Sequence, residues 1–539
     1  MNVHDLPYTK KDDLYTAYLS GDESVRSLFH YDPMDEESYF QRWKALKERK
    51  FQREALHNHL KAFHLHLPAS EKTFDNIDRL KNPDTTVVVT GQQAGLLTGP
   101  LYSIHKCMSA ILFAKEKEKQ LGAPVVPVFW IAGEDHDFDE VNHINVIQKN
   151  DIIKKKILMN EGKRSVSNIR LEKDRLRQWV DEVIRSFGEK KHTQDLKQLM
   201  EDAVDHSTSM TDFFAYLMLK LFEDQGLVMM DAHHPEIRKL ESATFQAMIA
   251  NTEEIDGAFQ KGSEQLHSLG YPSLIESEEN NSHLFIEEQD ARVLLIREDG
   301  HFRGKNNECL YSKEELLNIA KETPHRLSNN VVTRPLMQEL ILPTLAFVAG
   351  PGEVSYWSML KSVFEVHNVT MPPIVPRLSL ALVDRTTQKM LDETKLDLKS
   401  VLKTGTQKEK EKWLSDQVSF DLDAQITKSL QIFKEEHDQL KHSALSLDKG
   451  LQQVTEKNWT IIENQINYLK KSMERSIHRQ HEVELRKYDY IQAHLLPNGQ
   501  PQERILNIFY YINEYGMEMI QELIAQRYKW NGNLQIVCI

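Results

Sequence analysis

Through the first two-thirds of the chain, short apolar runs bounded by glycine or proline alternate with longer amphipathic stretches. One apolar stripe then dominates the last third. Thr85–Thr90 (TTVVVT) is β-branched throughout, which suits a strand covered on both faces. Gly91, Gly95 and Gly99 follow, then Pro100, a residue suited to the first position of a helix. The helix runs from Pro100 towards Gln120 and stops at Gly122. A second buried strand spans Val125–Ala132 and ends in Gly133-Glu134-Asp135-His136-Asp137. Strand, helix and strand in this order predict a right-handed βαβ unit with parallel strands.

The same texture returns twice. Gly226–Asp231 (GLVMMD) reads as a buried strand leading into Ala232-His233-His234-Pro235. Thr344–Ala349 leads into Gly350-Pro351-Gly352-Glu353, and Ile374–Pro376 with Arg377 at its end adds a further strand. The pattern predicts an α/β fold: a Rossmann-like, doubly wound parallel core over 84–384. Two insertions interrupt it, at about 145–225 and 235–335. The first is charged and largely helical. The second holds strand-like pieces at His283–Ile286 and Val293–Arg297 and a turn at Asp299-Gly300. Residues 1–83 read as a mostly helical segment joined to the core. Within it, His57, His59, His64 and His66 lie on a helix expected to be solvated.

After Asp384 glycine and proline nearly vanish. Ile426, Leu430, Phe433, Leu440, Ala444, Leu447, Leu451, Val454 and Ile461 fall at intervals of four and three, and Gly450 weakens the stripe. This predicts a coiled-coil dimerisation domain over 385–487. One helix from about Asp423 to Lys487 would be ~95 Å long at ~1.5 Å per residue. Its stripe needs an antiparallel helix within 385–420, a partner subunit, or both, hence a homodimer. The remainder, 488–539, is expected to pack back on the core. It carries the turn Pro497-Asn498-Gly499, a helix over Ile505–Gly516 and a final edge strand over Leu534–Ile539.

Charge narrows the partners. Lys+Arg 67 against Asp+Glu 81 gives a net charge of −14, which argues against nucleic acid, whose phosphates need clustered basic surface. Cys107, Cys309 and Cys538 are too few and too scattered for a disulfide framework. Residues 1–11 are polar, and no run approaches the ~18 apolar residues that span a bilayer, so a cytoplasmic protein without membrane contact is expected.

Four loops should meet at the carboxyl edge of the parallel sheet: Gly91–Lys106, Gly133–Asp137, Asp231–His234 and Gly350–Glu353. Their glycine spacing fits neither a dinucleotide fingerprint nor a Walker loop, which needs GK[ST]. Gln92, Gln93, Gly95, Gly99 and Lys106 are candidates to bind substrate on an anion-binding wall, and Gly350, Gly352 and Glu353 are candidates on the opposite wall, with Arg377 a further substrate-binding candidate. Asp135, His136 and Asp137 form the densest ionisable cluster. They suit a general base with an orienting carboxylate, a divalent-ion site, or a helix cap. His105, consecutive with Lys106 on a helix, could donate to a leaving group, while His233 and His234 are candidates for substrate contact.

TGQQAGLLTGPLYSIHK, FWIAGEDHDFDEV, LPTLAFVAGPGEVSYW and LPNGQPQERILN together resemble the signatures of the bacillithiol biosynthesis cysteine-adding enzyme family. The likeness spans the whole chain. It implies addition of L-cysteine to the amino group of glucosaminyl-malate. It also implies a core like that of class I aminoacyl-tRNA synthetases, with connecting-peptide insertions and a dimerising coiled coil. Those synthetases carry HxGH after the first strand and a KMSKS-like loop later. This chain has no HxGH, and Leu469–Ser476 (LKKSMERS) lies in the coiled coil.

The resemblance further implies a nucleotide-accepting cavity near the C-terminal region, for which Asp384, Tyr490, Arg504 and Asn507 are the candidates. The expected activity is an amide-forming ligase with ATP or ADP as its nucleotide, ATP activating the carboxyl as an acyl-adenylate or an acyl-phosphate, and magnesium as a companion ion. The metal's ligands are left open, and a further protein could supply an activated donor. Two other readings stand beside it: a dimeric scaffold with a non-catalytic site, and a nucleotidyltransferase-like enzyme with another substrate.

Overall fold

The β-branched run of the sequence forms the middle strand of a parallel five-stranded sheet. In space the strands run Ile374–Pro376, Thr344–Ala349, Thr86–Gln92, Val125–Ile131 and Val228–Asp231. Thr86 to Gln92 pair in register with Val125 to Ile131, residue for residue. The strand Val125–Ile131 is buried along its whole length, as a sheet covered on both faces requires. Helix Leu101–Leu121 makes the crossover and ends on Gly122, whose left-handed backbone returns its N–H to Glu118 O. The doubly wound parallel core is therefore present.

The computed structural model describes residues 1–7, 13–158, 164–275 and 280–539. Short parts of both expected insertions, 159–163 and 276–279, lie outside them. The chain divides into two units. One comprises 1–148, 152–382 and 502–539; the other comprises 149–151 and 383–501.

In the first unit, the insertion after the second core strand starts as a strand pair, His143–Gln148 and Asp151–Lys156. Helices Lys173–Phe187, Thr193–His206 and Met210–Leu221 follow. The second insertion carries helices Pro235–Ala250 and Thr252–Ser268. It also builds an antiparallel sheet in which Ala291–Glu298 turns at Asp299-Gly300 into His301–Gly304. Leu327–Asn329 closes that sheet against Asn281–Glu288.

Several boundaries differ from expectation. The N-terminal segment is helical but opens with a strand, Asn2–Leu6. That strand pairs antiparallel with Leu534–Cys538, which is central in a three-stranded sheet with Ser379–Val383 and not an edge strand. The tail thus splits, and only 502–539 belongs with the core. Its expected helix over Ile505–Gly516 begins later, as Ile508–Tyr515, because Asn507 caps it through Phe509 N, and a separate short helix, Gln502–Ile505, precedes it. The histidine-bearing helix Arg53–His64 is not solvated on that face. His57, His59 and His64 are buried, and His64 accepts from Met229 N, an amide of the last core strand.

In the second unit the long helix folds on itself. Helix Leu422–Leu447 is 26 residues, roughly 39 Å, and reverses at Asp448–Leu451 into Gln452–Gln480. Asp448 accepts from Gly450 N and closes the turn. The antiparallel partner is the second half of the same stripe, not 385–420. The halves are matched by His437 with Asn458 and by Lys441 with Glu456, each 3.2 Å apart. Helices Arg385–Thr394, Leu398–Thr404 and Gln407–Asp416 precede the hairpin, and Glu482–Leu495 follows it.

One buried ion pair ties the N-terminal helices to the sheet. Arg42 is 1% exposed and Glu339 0%. An Arg42 Nη2 donates to both Glu339 oxygens at 2.6 Å, and its Nε donates to Thr344 O at the start of a core strand. Removing the guanidinium takes two charged hydrogen bonds from the buried Glu339 carboxylate and leaves it to Arg49, its other partner. We expect Arg42→Met to cost about 1.5–3 kcal/mol in denaturant unfolding. A loss under about 1 kcal/mol would show that this pair does not hold the segment in place.

Candidate active site

The core strands follow one another outward from Thr86–Gln92 on one side. The chain then returns to add Thr344–Ala349 on the other. Loops leaving these two neighbouring strands therefore diverge, and an open parallel sheet has its natural crevice at that point. A cavity of about 560 Å³ occupies it.

Lys106 sits at its floor. Its buried ammonium donates to Gly91 O at 2.8 Å and Gln92 Oε1 at 2.9 Å, and it pairs with Glu353 Oε2 at 2.8 Å. Glu353 also accepts from Gly350 N at 2.7 Å, so one carboxylate caps its own helix and neutralises the lysine. Burial pulls the Lys106 pKa below its usual value, against the opposing pull of Glu353.

The loop after the second strand supplies Glu134, Asp135 and His136. Burial alone would raise the Asp135 pKa. The Gln93 amide at 2.6 Å and the Arg292 charge outweigh burial and hold it below the ordinary value. Arg292 reaches in from the second insertion. It lies over the Phe285 ring at 3.8 Å, donates to Ser328 Oγ and Asn329 O, and donates from Nη1 to His136 Nδ1 at 3.2 Å. His136 therefore accepts at Nδ1, which places its proton on Nε2 in the neutral ring.

Glu134 pairs with buried Arg238, which also binds Glu241 at 2.5 Å. Arg334, from helix Thr333–Ile341, lines the cavity and donates to Tyr356 Oη at 3.2 Å. Among the described residues no carboxylate lies within ion-pair distance of it. The cavity thus has an anion-seeking side at Arg334 and Lys106 and an ammonium-seeking side at Asp135, with Gln93 linking Asp135 to Glu140.

Two protein-family models match this chain. "Bacillithiol biosynthesis BshC, N-terminal Rossmann-like domain" matches residues 1–378, and "Bacillithiol biosynthesis BshC, C-terminal coiled-coil domain" matches residues 380–539. The chain belongs to the BshC family. Relatives called "Putative cysteine ligase BshC" extend the likeness over full length. One from Geobacillus sp. (strain WCH70) is 40% identical over all of both chains. One from Bacillus cereus (strain Q1) is 40% identical over 96% of this chain and 97% of its own. A solved chain titled "Crystal structure of putative arginyl t-RNA synthetase", from Campylobacter jejuni, aligns at 11% identity with a TM-score of 0.22. It covers 85% of this chain and 99% of that one, and carries no argument.

Against this BshC-family frame, the structure brings Gln92, Gln93, Lys106, Asp135, His136 and Glu353 to one cavity. Other candidates do different work. Gly95 and Gly99 are buried against each other. They shape a loop in which Leu97, Thr98 and Gly99 all take left-handed backbone. His105 turns away from Lys106, as the 100° step of a helix demands, and meets Glu503 at 3.0 Å. Arg377 is drawn to the same carboxylate at 2.5 Å, so neither faces the cavity. Asp137 is exposed outside it.

The Asp231–His234 loop also stays outside. Asp231 accepts from Ser167 Oγ and His233 N, and His234 caps helix Pro235–Ala250. Burial, then Arg238 and Arg292, push the His233 pKa down to about 3, which keeps the ring neutral. Gly350 gives its N–H to Glu353, and Gly352 lies in the first turn of the helix Pro351–Trp357.

The nucleotide candidates do not fit as a set. Asn507 spends its amide on Leu97 O and Gly99 O, both at 2.7 Å, and clamps the left-handed loop. Asp384 caps its own helix through Thr387 N, and Tyr490 stacks on His494 with centroids 3.8 Å apart. Arg504 is exposed. Asp384 and Tyr490 belong to one unit, Arg504 and Asn507 to the other.

Glu134, Arg292, Asn329, Arg334 and Tyr356 were absent from the sequence candidates. Tyr356 lies just beyond a singled-out loop. Arg292 and Asn329 lie on insertion strands whose alternation shows only that they face one side. A further cavity, also about 560 Å³, lies in the second unit around Leu414, Phe420 and Ile477, rimmed by carboxylates. It lacks the cations and buried polar groups of the first.

Two carboxylates sharing one buried guanidinium cannot both be fully compensated. Burial, above all, and the neighbouring Glu134 charge push the Glu241 pKa up to about 7 despite Arg238. A carboxyl that holds its proton in the folded state but not in the unfolded chain loses stabilisation as pH rises through that window. We expect stability to fall between about pH 4.5 and 7 on this account, and Glu241→Gln to flatten that slope in denaturant titrations. An unchanged slope would mean that Glu241 is ionised throughout.

Proposed function

We propose that the chain is a cysteine ligase that joins the carboxyl of L-cysteine to the amino group of glucosaminyl-malate. The observation that carries this reading is the full-length likeness to relatives bearing the cysteine ligase name. The cavity supports it by offering separate places for a carboxylate and an ammonium. Arg334 supplies the uncompensated positive charge that receives a carboxylate. Lys106, already paired with Glu353, keeps that wall rigid.

Asp135 receives the acceptor's ammonium and accepts the proton that it must lose before the nitrogen lone pair attacks the activated cysteine carbonyl. The C–N bond forms and the bond from that carbonyl to its activating group breaks, the group leaving with the bonding electrons. His136, with its proton on Nε2, and Arg292 serve as hydrogen-bond donors to the carbonyl oxygen on which negative charge develops. His136 is therefore a donor in this scheme and not the base. A carboxylate does not acylate an amine unaided near neutral pH. ATP with magnesium, or an activated donor from another protein, would supply the activation when bound. Of the residues expected to hold a nucleotide, Asp384, Tyr490 and Asn507 are engaged within the chain and Arg504 is exposed.

The reading extends to assembly and compartment. We propose that the hairpin associates with a second copy of this chain, because Leu440, Leu447, Val454 and Ile461 remain 51–85% exposed on it. We place the protein in the cytoplasm. Free Cys107, Cys309 and Cys538 support this, and no described helix is long and apolar enough to cross a membrane.

Purified protein supplied with cysteine, glucosaminyl-malate, ATP and magnesium should yield the amide, read by mass. Asp135→Asn should lower kcat/KM by about 10²-fold without loss of fold. No product from folded protein, or an undiminished Asp135→Asn rate, would sink the scheme. Sedimentation should report a dimer that Leu440→Glu with Leu447→Glu converts to monomer; a wild-type monomer would remove the assembly claim.

A further inference from the structure

The second insertion holds a histidine in an uncommon backbone. His283 is 0% exposed, and its φ of 57° lies in the left-handed region, where a bulky side chain is strained. The register of its strand with Ala291–Glu298 shifts between Asn281 and Phe285, so His283 stands where the regular pleat is interrupted. Such a position persists only where its partners over-determine it.

Those partners form a chain with one direction. Asn330 Oδ1 accepts from Val332 N at 2.9 Å and Thr333 N at 3.1 Å, which leaves its amide nitrogen to donate to His283 Nδ1 at 3.0 Å. His283 Nδ1 therefore accepts, its proton sits on Nε2, and Nε2 donates to Asp256 Oδ1 at 3.1 Å. Arg297 Nη2 donates to the other Asp256 oxygen at 2.6 Å. Burial alone would raise the Asp256 pKa; the His283 hydrogen bond and the Arg297 charge outweigh it and hold the carboxyl below its ordinary value. The backbone of His283 is used as well, its O accepting from Thr333 Oγ1 at 2.7 Å and from Asn330 N at 3.3 Å.

The far end of this chain is Arg334. It lies in the first turn of helix Thr333–Ile341, and its N–H donates to Asn330 O at 2.9 Å. First-turn amides have no partner within their own helix, so the groups that cap them fix where that turn stands. The guanidinium meets two neutral groups, Gln338 Oε1 and Tyr356 Oη, each at 3.2 Å. With no carboxylate to hold its tip, its aim follows the backbone that carries it.

We propose that His283, held by Asp256, is a positioning residue for Arg334: through Asn330 it sets the helix turn that aims the guanidinium at the substrate carboxylate. This rests on the cysteine-ligase reading, in which Arg334 receives that carboxylate. His283 itself does not line the cavity.

The test reads affinity and melting temperature together. L-cysteine and glucosaminyl-malate are each titrated calorimetrically into the full-length protein and its variants. Arg334→Gln should weaken one of them at least about tenfold. Asp256→Asn keeps size and shape, yet Arg297 can only donate, so it takes the new amide's oxygen and the amide nitrogen faces His283 Nε2. The ring proton then moves to Nδ1 and opposes the Asn330 amide nitrogen. Asp256→Asn and His283→Leu should each weaken the same substrate about three- to tenfold and leave the other unchanged. Added to Arg334→Gln, Asp256→Asn should cost less than about twofold more, because the group it acts through is gone. His283→Asn puts an acceptor in the place of Nδ1 and tolerates left-handed backbone, so it should bind within about twofold of wild type even where its melting temperature drops.

Equal losses from Asp256→Asn with and without Arg334, or losses that follow melting temperature through all the variants, would make the trio structural and overturn the inference. Wild-type affinity in folded Asp256→Asn would overturn it too, and in each of these cases the ligase reading stands. A wild type that binds neither substrate, or an Arg334→Gln protein that binds both undiminished, would overturn the ligase reading of the cavity and this inference with it.

Discussion

The buried ammonium of Lys106 is the constraint around which the site is built. Its three acceptors come from the last two residues of one core strand, Gly91 and Gln92, and from Glu353 across the switch point. A lysine taken out of water has to be compensated. That requirement fixes where the diverging loops stand relative to each other, and so fixes the cavity between them. Glu353 serves twice, because its helix begins where the lysine ends.

Helical geometry turns the neighbouring residue to a different task. His105 points a hundred degrees away and meets Glu503, which also holds Arg377. Arg377 and His105 together keep the Glu503 carboxyl far below its usual pKa in spite of burial. The tail is thereby locked to the rear of the same helix, and from there Asn507 reaches the left-handed loop. Two adjacent residues thus fasten the substrate side and the structural side of one fold. The strain at Leu97 and Thr98 persists because the tail over-determines it.

The second insertion completes the cavity. Arg292 is stacked on Phe285 and hydrogen-bonded along the closing strand. It meets the Asp135–His136 loop from outside the core sheet and sets the histidine's tautomer. The core provides Lys106, Asp135 and Glu353 to the cavity, and the insertion provides Phe285, Arg292 and Asn329.

Local chemistry in the sequence was enough to determine the parallel core, its crossover helix, its glycine caps and the loops that carry Lys106, Asp135 and Glu353. β-branched runs, glycine stops and strand-end polar clusters act over a few residues, so they are legible without a fold. The apolar stripe likewise announced a coiled coil. Its reversal at Asp448–Leu451 turned on one short cap, and a stripe looks the same whether it continues or folds back. Tertiary structure alone decided that Arg292, Asn329 and Arg334 join the cavity, that His105, Arg377 and Asn507 leave the expected roles, and that the last strand lies between the first and Ser379–Val383. Those pairings join residues from tens to hundreds of positions apart, and the direction a polar side chain faces depends on partners that no local window contains.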